Sequence, residues 1–198
     1  VNYAIRLGLN TKTKLKLDES GYRMASGDTY ECIVDIGHIG PDYIPGHAHA
    51  DTLSFVTNVN NKPAIIDYGI STYEKNNQRQ RERSTIYHNT VNIENENSSD
   101  VWGGFRVGKR ARVTIIHDSN KKIIAEHNGY NKYRSKHNRT WLFDENRIII
   151  DDIISSSGQA NFLLAPNVTP LLNEHIVNCG SFYFEFQNSR NLSINKLK

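Results

Sequence analysis

Apolar residues along this chain recur mostly at every second position, the spacing of strands with one buried face. Lys12, Lys14 and Lys16 alternate with Thr13, Leu15 and Leu17, which predicts a half-buried strand over 12–18. Glu19-Ser20-Gly21 reads as a turn, 22–25 as a short strand, Ser26-Gly27-Asp28 as a second turn and 30–35 as another strand, an antiparallel meander. Gly37, Gly40, Pro41, Pro45 and Gly46 then interrupt regular structure. Strands are predicted again over 52–59 and 64–69, joined by the turn Asn60-Asn61-Lys62-Pro63. Residues 71–84 are polar, lack a helical apolar stripe and read as a surface excursion with one or two helical turns. A strand over 85–93, a polar loop over 94–100 and Trp102-Gly103-Gly104-Phe105 follow. From Arg110 on, 111–117 pairs with 122–127 across Asp118-Ser119-Asn120, and 138–144 with 147–154 across Asp144-Glu145-Asn146. Strands at 159–164 and 181–186 complete the series, Phe182, Phe184 and Phe186 alternating with Tyr183 and Glu185. Many short strands between turn residues predict an all-β fold, a multi-sheet antiparallel β-sandwich, with 1–198 forming one domain.

Composition narrows this reading only slightly. A chain of 198 residues is long enough to fill a core. With 24 basic and 21 acidic residues the net charge is +3, which makes no electrostatic case for a nucleic-acid partner. No apolar run approaches the roughly 20 residues of a membrane-spanning helix, so no transmembrane segment is expected. No signal peptide is visible after Val1. Cys32 and Cys179 are too far apart for a local Cys-x-x-Cys knuckle, and sequence leaves open two free thiols or one disulfide.

Candidate chemistry gathers at Pro45-Gly46-His47-Ala48-His49-Ala50-Asp51-Thr52-Leu53-Ser54-Phe55. In a strand, His47, His49 and Asp51 share one face, while Leu53 and Phe55 carry the register on into a core. Further along stand Asp67 and His88, each in a predicted strand. Two neutral imidazoles and one carboxylate suit Zn²⁺, which makes His49, Asp67 and His88 candidate ligands with a fourth position for water. The plain alternatives are a turn-capping Asp67 and an ordinary core His88. His47 is left for proton transfer, the usual work of an imidazole near neutrality. Asp51, and Asn89 beside His88, are placed to orient these groups from behind. Arg79 and Arg83 are candidate contacts to an anionic substrate, since guanidinium forks grip carboxylates and sulfates, and Tyr73 is a candidate sugar-facing aromatic.

These segments resemble the heparinase II/III-like polysaccharide lyases. The resemblance is carried by Gly46 through Phe55, by Ile66-Asp67-Tyr68-Gly69-Ile70-Ser71-Thr72-Tyr73, by Arg83-Ser84-Thr85-Ile86-Tyr87-His88-Asn89-Thr90-Val91, and by Trp102 with Phe105-Arg106-Val107. The family more often has proline where Tyr68 stands. Order and local spacing agree over roughly 21–112, and four ordered blocks are far more specific than one. The resemblance implies a β domain that follows an α/α toroid, with the active cleft between them. It implies zinc in a structural or site-shaping role on His49, Asp67 and His88, and His47 as the catalytic histidine. The catalytic tyrosine, and the Asn or His that neutralises the uronate, belong to the toroid. The pattern over 1–198 contains no such toroid, so the chain reads as the β portion, inactive when isolated. A bacterial periplasmic or secreted location is implied.

The implied reaction is β-elimination on an acidic, uronate-containing polysaccharide. Two rival classes stay in view. A non-catalytic β module that binds acidic glycans ranks second. A jelly-roll iron oxygenase ranks third, because His49-Ala50-Asp51 with distal His88 fits the two-histidine, one-carboxylate triad.

Overall fold

The computed structural model describes residue 6 and residues 18–189 and 191–195. The strand predicted over 12–18 lies almost wholly outside them. A four-stranded antiparallel sheet comes first, in the spatial order β1 (Tyr22–Ser26), β2 (Tyr30–Asp35), β3 (Phe55–Val59), β4 (Lys62–Ile65). The connecting region holds one short helix, α1 (Asn77–Glu82), then β5 (Val91–Ile93) and the hairpin of β6 (Asp100–Trp102) and β7 (Arg106–Gly108). A second four-stranded antiparallel sheet is built from β8 (Val113–Asp118), β9 (Lys122–His127), β10 (His137–Phe143) and β11 (Ile148–Ile153), ordered β11-β10-β9-β8. β12 (Gly158–Ala160) pairs with β5, and β13 (Leu171–Asn173), β14 (Ile176–Asn178) and β15 (Tyr183–Glu185) form a small outer sheet. The fold is the expected all-β sandwich.

Period-two alternation explains the core. On β2, Tyr30, Cys32 and Val34 point inward while Glu31 and Ile33 face out. Phe55 and Ile65 join them from β3 and β4. The second sheet supplies Ile123 and Ala125 from β9, and Trp141 and Phe143 from β10. Burying such side chains contributes roughly 1.5–3 kcal/mol each before entropy is counted. Further along the same inward face the character changes. His127, His137 and Arg139 are buried there, at 1%, 0% and 0% exposure. This polar end of the second sheet lies against the loops that carry the candidate chemistry.

Several expectations shift at the element ends. The strand expected over 52–59 starts only at Phe55, because Leu53 adopts φ 62° and interrupts the extended chain. The strand expected over 85–93 is a 3₁₀ turn at Thr85–Tyr87, with ladder pairing reserved for Val91–Ile93. The strand expected over 64–69 runs instead from Lys62 to Ile65, which leaves Asp67 beyond its end. Asn60 and Asn61, at φ 50° and 58°, make the turn between β3 and β4, as their side chains permit. Residues 71–84 are not simply a surface excursion, since Arg79, Glu82 and Arg83 are each 0% exposed. Cys32 and Cys179 are free, buried thiols.

Candidate functional site

The His47-Ala48-His49-Ala50-Asp51 segment belongs to no sheet: it leaves a turn closed by Ala48 N on Pro45 O and bends at Ala50. Its side chains still alternate: Ala48 and Ala50 are buried, His47 is exposed, and His49 and Asp51 are half-buried on the open side. A chain outside any sheet leaves buried carbonyls without donors, which is costly. Side chains supply them here. Arg79 Nη2 donates to Gly46 O at 3.0 Å, and Arg83 Nε to Ala48 O at 3.0 Å. Thr85 Oγ1 donates to Ala50 O at 2.7 Å, and Thr90 Oγ1 to Thr52 O at 2.8 Å. Alternate carbonyls from Gly46 to Thr52 are thus held from within by residues 79–90. That side-chain ladder turns the histidine stripe outward.

The stripe lines a cavity of about 260 Å³ together with Tyr22, Asp35 and His38. At the same place, one nitrogen of His49, one carboxylate oxygen of Asp51 and one nitrogen of the buried His88 lie within 4.8 Å of one another. The His49 and His88 rings are tilted, 5.2 Å apart. Asp67 enters through His88, whose Nδ1 donates to Oδ2 at 2.7 Å, and Gly69 N donates to Asp67 Oδ1 at 2.8 Å. His88 is fully buried, and its Nε2 has no hydrogen-bond partner. Burial, then the charges of His88 and Arg79, hold His49 down to about 4, so its imidazole is neutral. Burial alone pulls His88 down, but its bond to Asp67 and the charges of Asp51 and Asp67 outweigh this and raise it. Burial pushes Asp67 up, yet the bond and charge of His88 and the Gly69 amide hold it below the usual carboxylate value. Burial raises Asp51. Burial and the neighbouring Asp51 also lift Asp35 to about 7. The neutral His49 imidazole, the Asp51 carboxyl and the orphaned His88 Nε2, whose ring Asp67 holds from the other nitrogen, form a donor set that fits a zinc ion.

The profile of the heparinase II/III-like C-terminal family matches residues 10–185. The chain belongs to this family. Solved structures of similar shape include a heparinase III–BT4657 gene product, with TM-score 0.56 and 21% identity over 86% of this chain and 26% of that one. A mutant of the heparan sulfate lyase HepC from Pedobacter heparinus has TM-score 0.61 and 17% identity, covering 85% of this chain and 27% of that one. A heparinase III structure has TM-score 0.60 and 16% identity, covering 85% of this chain and 28% of that one. This chain therefore spans about a quarter of those proteins' length. No curated protein sequence matches it.

Within this heparinase II/III-like domain the predicted residues divide clearly. His49 and His88 come together as expected. The carboxylate in the three-way cluster is Asp51, expected in a supporting place, whereas Asp67 is hydrogen-bonded to His88. His49, Asp51 and His88 are also the triad that the oxygenase reading names. Family membership weighs against that reading. His47 is exposed, with Tyr73 edge-on to its ring at 5.5 Å, and Tyr73 is 53% exposed, open to a ligand. Arg79 and Arg83 are corrected: both are fully buried and bonded to backbone carbonyls, so neither presents its guanidinium to a groove. Burial, then Arg79, lowers Arg83 to about 10. Asn89 does stand behind the site, donating from Nδ2 to Phe55 O and Ile66 O at 2.8 Å each and accepting from Leu163 N.

Sequence reading missed the support from the second sheet. Arg139 Nη1 donates to Leu53 O at 2.9 Å and to Asn89 O at 2.7 Å, tying the loop after Asp51 to the one after His88. Its Nε and Nη2 grip Asp152 at 2.6 and 2.8 Å. Asp152 also accepts from His137 Nε2 at 2.7 Å, and His137 Nδ1 lies 3.2 Å from His127 Nε2. Because Gly129 N donates to His127 Nδ1, the tautomers follow: His127 donates from Nε2, and His137 accepts at Nδ1. The only available signal was Arg139, His137 and Asp152 on facing strands, which alternation alone does not connect.

Proposed function

We propose that this domain is the β portion of a polysaccharide lyase that cleaves uronate-containing acidic glycans by β-elimination, with His47 transferring protons. One observation carries the reading: the exposed His47 lines the same cavity as His49 and Asp51, which cluster with the buried His88. In the reaction a base removes the proton from C5 of the uronate, alpha to its carboxylate. The C4–O glycosidic bond breaks, a C4=C5 double bond forms, and an acid protonates the departing oxygen. The C5 proton becomes acidic only when the carboxylate charge is neutralised. Among the described residues the cavity lining includes no lysine or arginine to neutralise a uronate carboxylate. Neutralisation therefore falls to a preceding toroid domain, together with the tyrosine that partners His47. The solved neighbours named as heparan sulfate lyase and heparinase III support the substrate class.

His49 and His88, with Asp51 in their cluster and Asp67 bonded to His88, would hold a zinc ion, which would supply fixed positive charge to brace this segment. The Thr85 and Thr90 hydroxyls hold the same segment from behind at Ala50 O and Thr52 O, while Asn89 holds the Phe55 and Ile66 carbonyls. In the full-length gene product, His47→Ala is expected to abolish formation of the ultraviolet-absorbing unsaturated uronate. Turnover like the wild type would remove His47 from the reaction. Metal analysis should find zinc, lost in His88→Ala. Iron with oxygen-dependent turnover would instead support the oxygenase. Binding of uronate polymers with no unsaturated ends formed would support a non-catalytic module. A bacterial periplasmic or secreted setting suits such an enzyme.

A further inference from the structure

Arg79, within α1, and Arg83, its C-terminal cap, sit one helical turn apart, each 0% exposed. Each spans two backbone segments. Arg79 donates from Nε to Gly104 O at 3.1 Å and from Nη2 to Gly46 O at 3.0 Å. Arg83 donates from Nε to Ala48 O at 3.0 Å and from Nη2 to Arg106 O at 3.1 Å. The two carbonyls gripped on the stripe are those on either side of His47. Arg83 also accepts from Ala50 N through its own carbonyl at 2.9 Å. Nη1 of both arginines is buried without a partner, and among the described residues neither side chain forms an ion pair.

Two buried cations held this way are expensive, and an apolar side chain of similar length fills the same volume without that cost. What an apolar chain lacks is a rigid planar fork that reaches two carbonyls at once. The Arg79 guanidinium also underlies the Tyr73 and Phe105 rings, 5.4 and 5.6 Å from their centroids, and Tyr73 is the ring that meets His47 edge-on. Backbone and aromatic neighbour of His47 are thus both seated on these two guanidiniums.

We propose that Arg79 and Arg83 are positioning residues that hold His47 in its presented orientation by clamping the carbonyls on both sides of it to the Gly104–Arg106 turn. This rests on the role proposed above for His47, but the clamp is measurable without it. In the full-length gene product, Arg83→Lys keeps the charge and loses the fork. Amide hydrogen exchange over 46–52, read by mass spectrometry, is expected to speed up at least about tenfold, with β9 and β10 unchanged. Unchanged protection of 46–52 in the folded variant overturns the clamp, whether or not the protein proves to be a lyase. In turnover, kcat is expected to fall by about 10–100-fold with KM within about twofold, the signature of a misplaced reacting group. A raised, salt-sensitive KM with kcat unchanged overturns the proposal in favour of direct contact with an anionic substrate. Should Arg83→Lys fail to fold, Arg79→Lys carries the same two measurements.

Discussion

Replacing Asp152 with Asn tests how the second sheet supports the site. Asp152 accepts two bonds from Arg139, at 2.6 and 2.8 Å, and one from His137 at 2.7 Å. The Asp152 side chain is 18% exposed and that of Arg139 0%, so this is an interior pair. An exposed pair is worth about 0–1 kcal/mol, whereas removing one partner of a buried pair costs about 3–5 kcal/mol because the other charge is stranded. Asn keeps the shape, loses the charge and turns a donor toward Arg139. We expect a loss of about 3–5 kcal/mol, or about 6–20 °C in melting temperature for a domain of this size. Trp141 is fully buried, with the Arg139 guanidinium 5.8 Å from its ring, so urea unfolding followed by tryptophan fluorescence reports the change. Burial raises the Asp152 carboxyl, but Arg139 and His137 outweigh it and hold the group well below its ordinary value. A depressed carboxylate stabilises above its unfolded value near about pH 4, and that contribution is lost as pH falls through the folded value. The gap between wild type and variant should therefore narrow in strong acid. A loss under about 1 kcal/mol at neutral pH would refute the reasoning.

Asp35, lifted to about 7 by burial and Asp51, has the opposite sign. Its contribution is full below about pH 4 and lost as pH rises through about 7, so in metal-chelated protein Asp35→Asn should gain on the order of 2–4 kcal/mol near pH 8 and nothing at pH 4. Urea midpoints at the two pH values check this, and a pH-independent difference contradicts it. Leu53 is 0% exposed at φ 62°, so Leu53→Ala should cost about 2–5 kcal/mol. Leu53→Gly should be no worse, reversing the usual deficit of about 0.5–1 kcal/mol, because glycine accepts that φ. A glycine variant clearly less stable than the alanine one argues against backbone strain there. Cys32 is 0% exposed and pushed up to about 12, chiefly by burial, so it should resist thiol reagents until the protein unfolds. Rapid labelling of Cys32 in the native protein contradicts that burial.

The sequence by itself determined the β class, the strand that became β2, the pairing of β8 with β9 and β10 with β11, and the convergence of His49 with His88. Each follows from a local cause: period-two alternation, turn residues between strands, or ordered motif blocks. Residue spacing even placed His47, His49 and Asp51 on the open side, with Ala48 and Ala50 buried between them, although the segment is not in a sheet. Tertiary structure decided the rest. Whether Asp51 or Asp67 stands within the cluster depends on Leu53 turning at positive φ and on β4 ending at Ile65, neither of which alternation reports. Arg79 and Arg83 look solvent-bound in a polar run. They are buried because unpaired carbonyls at Gly46, Ala48, Gly104 and Arg106 need donors, and those carbonyls come from segments far apart in the chain. The same physics places Arg139 beneath Leu53 and Asn89. Hydrogen-bond demand of a buried backbone is a property of where segments meet, and only the folded chain brings them together.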